Sequence, residues 1–484
     1  MPRFTSASST TIYQISFSLF LLTVMYSAVR SMMFDARSSV QMLVAGIIAV
    51  TVILVLDDKY WVLSAFLFGF YDSIPMTRFT GAELGSLILV TACFARRTMH
   101  KDIAVSGGKF PVYAAIPFMI WMGVVWSQNP TGMKILGSSS YGGRFYFKVI
   151  LAFLALCFLS TMSLGERDCR LFCLATFLGN LVFAFRVYIF GGGMDIFESA
   201  NTHYQFIRLS FVAPLFLSRF TAPELLASRL PLIGFLLCFG LSVYSGNRTA
   251  GMRPVMAGVL APFLLRRDRC KTIGLILCAA VILAVIVVGH GRVWRLPFAI
   301  QRSLSFLPGK WDRRLESYGF NDIFRANLRY VARQHIRENP WFGDGGFAIN
   351  AESLRWAVFS GGGPNALAEG HALGRNWHNV WLGMAADFGI PMSVAWGIFI
   401  VSLLVSGYRR CLRMPPRSWR QTTCLYYYLL ILVDTVGFFF GGGHTSLTAQ
   451  QFFLWAGMML AASNEAPSHE LALETRAVEQ FRPV

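Results

Sequence analysis

Long apolar runs separated by short polar connections fill most of this chain, a pattern that predicts one helix after another and no strands. The runs cover 12–29, 40–56, 60–75, 80–95, 111–127, 144–161, 169–190, 205–220, 228–243, 249–265, 271–288, 390–407, 421–440 and 448–463. Most approach the ~20 residues that a membrane-crossing helix needs; 60–75 is the weakest. They make fourteen candidate spans, or twelve where short neighbours form one bent or re-entrant helix. Between 289 and 389 no run is long enough to cross. The expected fold class is all-α: a polytopic integral membrane protein of about 12–14 transmembrane helices with one large, partly helical periplasmic loop. The expected organisation is N-terminal helices over 1–288, the loop over 289–389, C-terminal helices over 390–463 and a disordered cytoplasmic tail over 464–484.

Composition fits this pattern. The 484 residues are 55% hydrophobic and 14% charged, whereas soluble domains carry about 25% charge. A net charge of +18 would suggest nucleic acid in a soluble protein. Here Lys and Arg in short cytoplasmic connections account for it, and no nucleic-acid partner is expected. Arg3 followed by the apolar Ile15–Ala28 segment resembles a signal peptide, but no small-x-small cleavage site follows, so a retained span is expected. The nine cysteines include no CxxC pair and none lies in 289–389. No thiolate metal site, and no other metal or cofactor, is expected.

Charge in the connections sets the orientation. Arg266, Arg267, Arg269 and Lys271 form one basic linker, Arg409, Arg410, Arg413, Arg417 and Arg420 another, and Arg96, Arg97, Lys101 and Lys109 a third. Alternate counting puts all three on one side, while the 191–204 linker, with Asp195 and Glu198, falls opposite. Both termini are therefore expected in the cytoplasm and 289–389 outside.

The loop carries the candidate chemistry. Asn321 can cap a helix beginning at Asp322, and Pro340 ends it. Arg325, Arg329, Arg333 and Arg337 recur every four residues and share one broad basic face, opposite Phe324, Leu328, Val331 and His335. Like charges at this spacing repel, which an anionic partner would offset. An anion or phosphate site and a face bathed in solvent or lipid headgroups are the two readings. His378 and Asn379 open a new apolar run, with Arg375 close by. A histidine there is either an ordinary polar cap or a base able to take an alcohol proton near neutral pH. Arg248, after Ser245-Gly246-Asn247, sits at a span edge with Arg253 about a turn deeper. Arginines so placed mark a functional cavity or snorkel to headgroups. Arg186 and Arg208, within the seventh and eighth runs, are candidates for the same role.

Together these segments resemble a known family. Arg325, Ala332, Ile336, Pro340-Trp341-Phe342-Gly343-Asp344-Gly345, His378-Asn379-Val380-Trp381-Leu382 and Asp387-Phe388-Gly389-Ile390 are similar to the signature of the O-antigen ligase and polymerase family. Ser245 to Arg248 resembles that family's Ser-x-Ser-Arg, with Asn247 in place of the second serine. The likeness covers about 240–400. It implies an enzyme of the bacterial inner membrane that moves a glycan from a polyprenyl diphosphate carrier to a sugar hydroxyl. The transfer would be inverting and need neither metal nor nucleotide. In a ligase the acceptor is the lipid A core; in a polymerase it is a growing glycan. By match, Arg248 and Arg325 would hold the diphosphate and His378 would be the base. From their positions rather than from the match, Arg329, Arg333, Arg375, Arg253, Asn379, Arg186 and Arg208 are expected to line the substrate path. Anionic lipids and other polysaccharide assembly proteins are the further partners expected. Two other classes compete: a polysaccharide or lipid transporter, whose loop would be a gate, and a non-catalytic assembly subunit docked on anionic lipid.

Overall fold

The computed structural model describes residues 60–69, 80–99, 110–128, 143–190, 203–265, 268–305, 307–312, 320–347, 377–440 and 445–464. The expected spans 12–29 and 40–56, the tail after 464, and Arg375 lie outside the described residues.

The described chain is helical almost throughout, and its helices follow the apolar runs closely. In order they are α1 (Tyr60–Gly69), α2 (Gly81–Met99), α3 (Phe110–Gln128), α4 (Gly143–Leu159), α5 (Glu166–Phe190), a 3-10 helix (His203–Arg208), α6 (Leu209–Arg219), α7 (Ala222–Ala227) and α8 (Arg229–Tyr244). Then follow α9 (Arg248–Leu265), α10 (Arg269–Gly289), α11 (Phe298–Leu304), α12 (Phe320–Glu338), α13 (Val380–Phe388), α14 (Ile390–Arg413), α15 (Trp419–Phe440) and α16 (Thr445–Ser463). Among the described residues, three helices are long and apolar enough to cross a membrane: the Glu166–Phe185 part of α5, α10 and α14. Gly81–Ala92 of α2 and all of α8 are shorter apolar helices.

Side-chain packing builds one principal core. α16 lies on α4 and α15, α14 on α3, and α1 on α5. At its centre Trp396 of α14 meets Phe118, Phe399 and Phe452 with ring centroids 5.4–5.5 Å apart. α10 is the exception. Only Thr272 and Val287 are buried, while Leu277, Val281, Ile282 and Val285 point outward. An all-apolar outer face of this kind is stable against lipid rather than water.

Polar contacts define the two ends of the bundle. At one end Glu166 accepts from the Trp419 N–H at 2.6 Å, and Arg410 donates to Ser463 and Asn464 at 2.8 and 3.0 Å. There too Arg417 pairs with Glu224, and Thr221 donates to Asp268 at 3.0 Å. The basic connections around 268–271 and 409–420 thus gather together. α9 and α14 both finish at this end, so Arg248 and Ile390, at their first residues, share the opposite end.

Candidate functional site

The far end is organised by the segment from α12 to α14. α12 starts at Phe320, two residues before the expected Asp322, so Asn321 is a helical residue and not the cap. Pro340 stops the helix because its ring admits no continuing α conformation before it. The turn that follows, Trp341–Phe347, docks on the C-terminus of α13. The Asp344 N–H donates to Ala386 O at 2.8 Å, Gly346 N–H to Asp387 O at 2.7 Å, and Ile390 N–H to Pro340 O at 2.8 Å. The first two bonds use carbonyls that the end of α13 leaves without intrahelical partners. The approach is so close that side chains are excluded. Gly343 has φ +59° and a Cβ there would lie 2.5 Å from Ala386 O; Gly389 has φ +88° and a Cβ would collide with the Trp341 carbonyl. Trp121 of α3 locks the junction, donating from Nε1 to Phe388 O at 2.8 Å and stacking on Phe342 at 5.5 Å.

This docking fixes His378. Trp377 before it is buried, donates from Nε1 to Asp387 at 2.8 Å and meets the His335 ring at 5.5 Å. Asn379 after it caps α13, accepting from the Leu382 N–H at 3.1 Å. Held between two anchors, His378 adopts a left-handed backbone with φ +50°, and its ring meets Phe324 edge-on at 5.9 Å. A non-glycine residue there carries conformational strain that the surrounding contacts must offset, a condition concentrated at functional positions.

Phe324 precedes Arg325, so α12 brings the histidine and the first arginine onto adjoining elements. Phe324, Leu328, Val331 and Ala332 are buried against Trp377 and Ala386. Arg325 is half-buried beside them, and Arg329, Arg333 and Arg337 are exposed in a row beyond it. His335, on the inward side, bonds Asp344 of the docked turn at 2.5 Å. The two nearest acids therefore have positioning duties: Asp344 ties the turn to α12, and Asp387 holds Trp377.

A second group of arginines lies around α9. Asn247 Oδ1 accepts from the N–H groups of Thr249 and Ala250 at 2.9 and 3.3 Å and so caps the helix. An asparagine serves this role as well as a serine. Arg248, first in the helix, donates to Ser305 beyond α11 at 2.8 Å. Arg253, a turn inward, makes a two-point pair with Asp434 of α15 at 2.6 and 3.3 Å, donates to Ser210 at 3.0 Å and lies 4.0 Å above the Phe211 ring. Arg208 approaches the same ring at 5.7 Å and Phe183 at 5.1 Å. Arg186 lies toward the far end of α5, in a stretch whose side chains are outside the description. Both arginine groups lie at the same end of the bundle, and the contacts described above hold each to its own neighbours.

One buried charge cluster has no counterpart in the sequence reading. Thr80 and Glu83 form a capping box at the start of α2, with bonds of 2.6 and 3.1 Å. Glu83 also takes two bonds from Arg144 of α4, at 2.8 and 2.7 Å, with Lys148 3.6 Å away. Tyr146, between those cations, reaches the Phe347 N–H at 3.3 Å, so the cluster underlies the docked turn. The available signal was two cations at i,i+4 in one apolar run and a lone glutamate in another. Among the described residues no group of three or more His, Cys, Asp or Glu could hold a metal ion. Compared with known proteins, the chain matches no protein-family model and no curated protein.

Proposed function

We propose that this chain is a many-pass membrane glycosyltransferase that moves a glycan from a polyprenyl diphosphate to a sugar hydroxyl, acting as a ligase onto the lipid A core. Repeat-unit polymerisation is the same chemistry with a different acceptor. In this reading about 12–14 helices cross the inner membrane and 289–389 faces the periplasm. The coincidence of the described helices with the apolar runs supports it.

The observation that carries the proposal is the docking of the Pro340–Phe347 turn on α13, which fixes His378 against the helix that bears Arg325. In the proposed reaction an acceptor hydroxyl gives its proton to His378 as its oxygen attacks the anomeric carbon. The bond from that carbon to the phosphate oxygen breaks, and the diphosphate leaves with the electron pair. Arg325 and Arg248 supply charge-assisted, forked hydrogen bonds that strengthen as negative charge grows on the departing oxygen. Arg329 and Arg333 extend the positive surface along α12 toward the anionic headgroups. Arg253, already met by Asp434, Ser210 and Phe211, acts as scaffold to this site.

The test is reconstitution. Purified protein in vesicles receives polyprenyl diphosphate-linked glycan, chelator and either lipid A core or a second carrier-linked repeat. Product on the core indicates a ligase, and lengthened carrier-linked glycan a polymerase. Glycan carried across the vesicle wall with no new bond would instead favour a transporter.

A further inference from the structure

A second polar feature lies inside the bundle, away from His378. α1, α5, α6, α15 and α16 enclose a cavity whose wall includes Phe68, Thr176, Asn180, Phe211, Tyr427 and Trp455. Most of that wall is aromatic or aliphatic, yet two polar residues, Thr176 and Asn180, belong to it. Thr176 Oγ1 and Asn180 Oδ1 are shielded from solvent and have no hydrogen-bond partner within the protein. Their residues are 6% and 3% exposed. Buried polar atoms of native proteins are nearly always satisfied, by protein or by ordered water. The chemistry of these two atoms narrows what satisfies them. Asn180 spends its amide nitrogen on Thr176 O at 2.8 Å, which leaves Oδ1 purely an acceptor. The threonine hydroxyl both donates and accepts. An anion cannot donate to Oδ1, and a hydrocarbon chain satisfies neither atom.

The spacing suits a small bridging donor. The two residues are four apart on α5, so their Cβ atoms stand about 5–6 Å from each other on one face. A single oxygen about 2.8 Å from each partner spans that gap. The space admits about one water molecule. We propose that this cavity is a binding site for ordered water, one molecule bridging Thr176 Oγ1 and Asn180 Oδ1. The site borders the arginine group, because Phe211 forms its wall and also lies beneath the Arg253 guanidinium. The bound water completes the polar lining on the far side of that ring. It belongs to the scaffold and does not rest on the proposed reaction.

The test uses the full chain in lipid nanodiscs. Thr176→Val keeps the shape of the side chain and removes the hydroxyl; Thr176→Ser keeps the hydroxyl. Thr176→Val is expected to lower Tm by about 2–4 °C, and Thr176→Ser by less than half as much. An experimental density map of the wild-type protein that resolves neighbouring side chains should show an isolated peak within hydrogen-bond distance of both atoms. A Tm that rises or stays level in Thr176→Val overturns the proposal, since an unbonded hydroxyl is better replaced by a methyl. So does a map without the peak, which decides the matter should Thr176→Val fail to fold. A peak present only in glycerol-containing preparations overturns it as well, because the occupant is then an alcohol additive.

Discussion

Asp434→Asn removes the negative half of a pair whose positive half cannot leave the bundle. The side chains of Arg253 and Asp434 are 16% and 5% exposed. Two nitrogens of the guanidinium meet the carboxylate at 2.6 and 3.3 Å, and the third meets Ser210 at 3.0 Å. Breaking a buried pair by removing one charge costs about 3–5 kcal/mol. An asparagine still accepts one hydrogen bond, and Ser210 and Phe211 remain, so the lower end, about 3 kcal/mol, is expected. The double change Arg253→Met with Asp434→Leu removes both charges and keeps roughly the same volume. It should lie within about 1 kcal/mol of the parent or be more stable. Equilibrium unfolding in mixed micelles of rising SDS fraction, followed by tryptophan fluorescence, measures all three proteins. A single variant within about 1 kcal/mol of the parent, or a double variant as unstable as the single, would refute the view that this pair is held by mutual compensation.

Three other outcomes follow from the same contacts. Gly389→Ala should cost more than about 3 kcal/mol or prevent folding, because both the left-handed backbone and the Trp341 carbonyl oppose a side chain; thermal melts report it. Glu83→Gln leaves Arg144 and Lys148 buried with a neutral partner and should lower stability by about 3 kcal/mol. Restoration by a further Lys148→Met change would identify charge as the cause. Arg333→Glu, on the exposed row of α12, should alter stability by less than about 0.5 kcal/mol. It should nevertheless weaken binding to vesicles rich in anionic lipid, measured by flotation at low and high salt.

The helices were largely legible from hydropathy because each buries or presents a long apolar surface. The 144–161 run became Gly143–Leu159, and 448–463 falls within Thr445–Ser463. Boundaries failed where polar residues are helical for other reasons. α14 continues past 407 to Arg413, since its last basic residues lie beyond the apolar stretch but suit a helix C-terminus. The 205–220 run splits at Arg208 into a 3-10 segment and α6. α7 is too short to register in hydropathy, and the Thr221–Glu224 capping box marks it. For the site, periodicity gave the buried and exposed faces of α12, and the glycines of the turn matched a motif. Their physical reason, a turn seated on the end of α13, needs coordinates. Ion pairs were illegible for a different cause. Glu83 lies 61 residues from Arg144, and Arg253 lies 181 from Asp434. No local pattern records which distant charge compensates a polar residue in an apolar run.

The central claim is that His378 takes a proton from an acceptor hydroxyl while the arginines hold a diphosphate. The most direct measurement pairs transfer and donor binding in His378→Ala, using purified protein, carrier-linked glycan and chelator. Transfer is predicted to fall at least about 100-fold, with donor affinity changed by less than about threefold. Transfer that persists within about fivefold of the parent rate would contradict the claim.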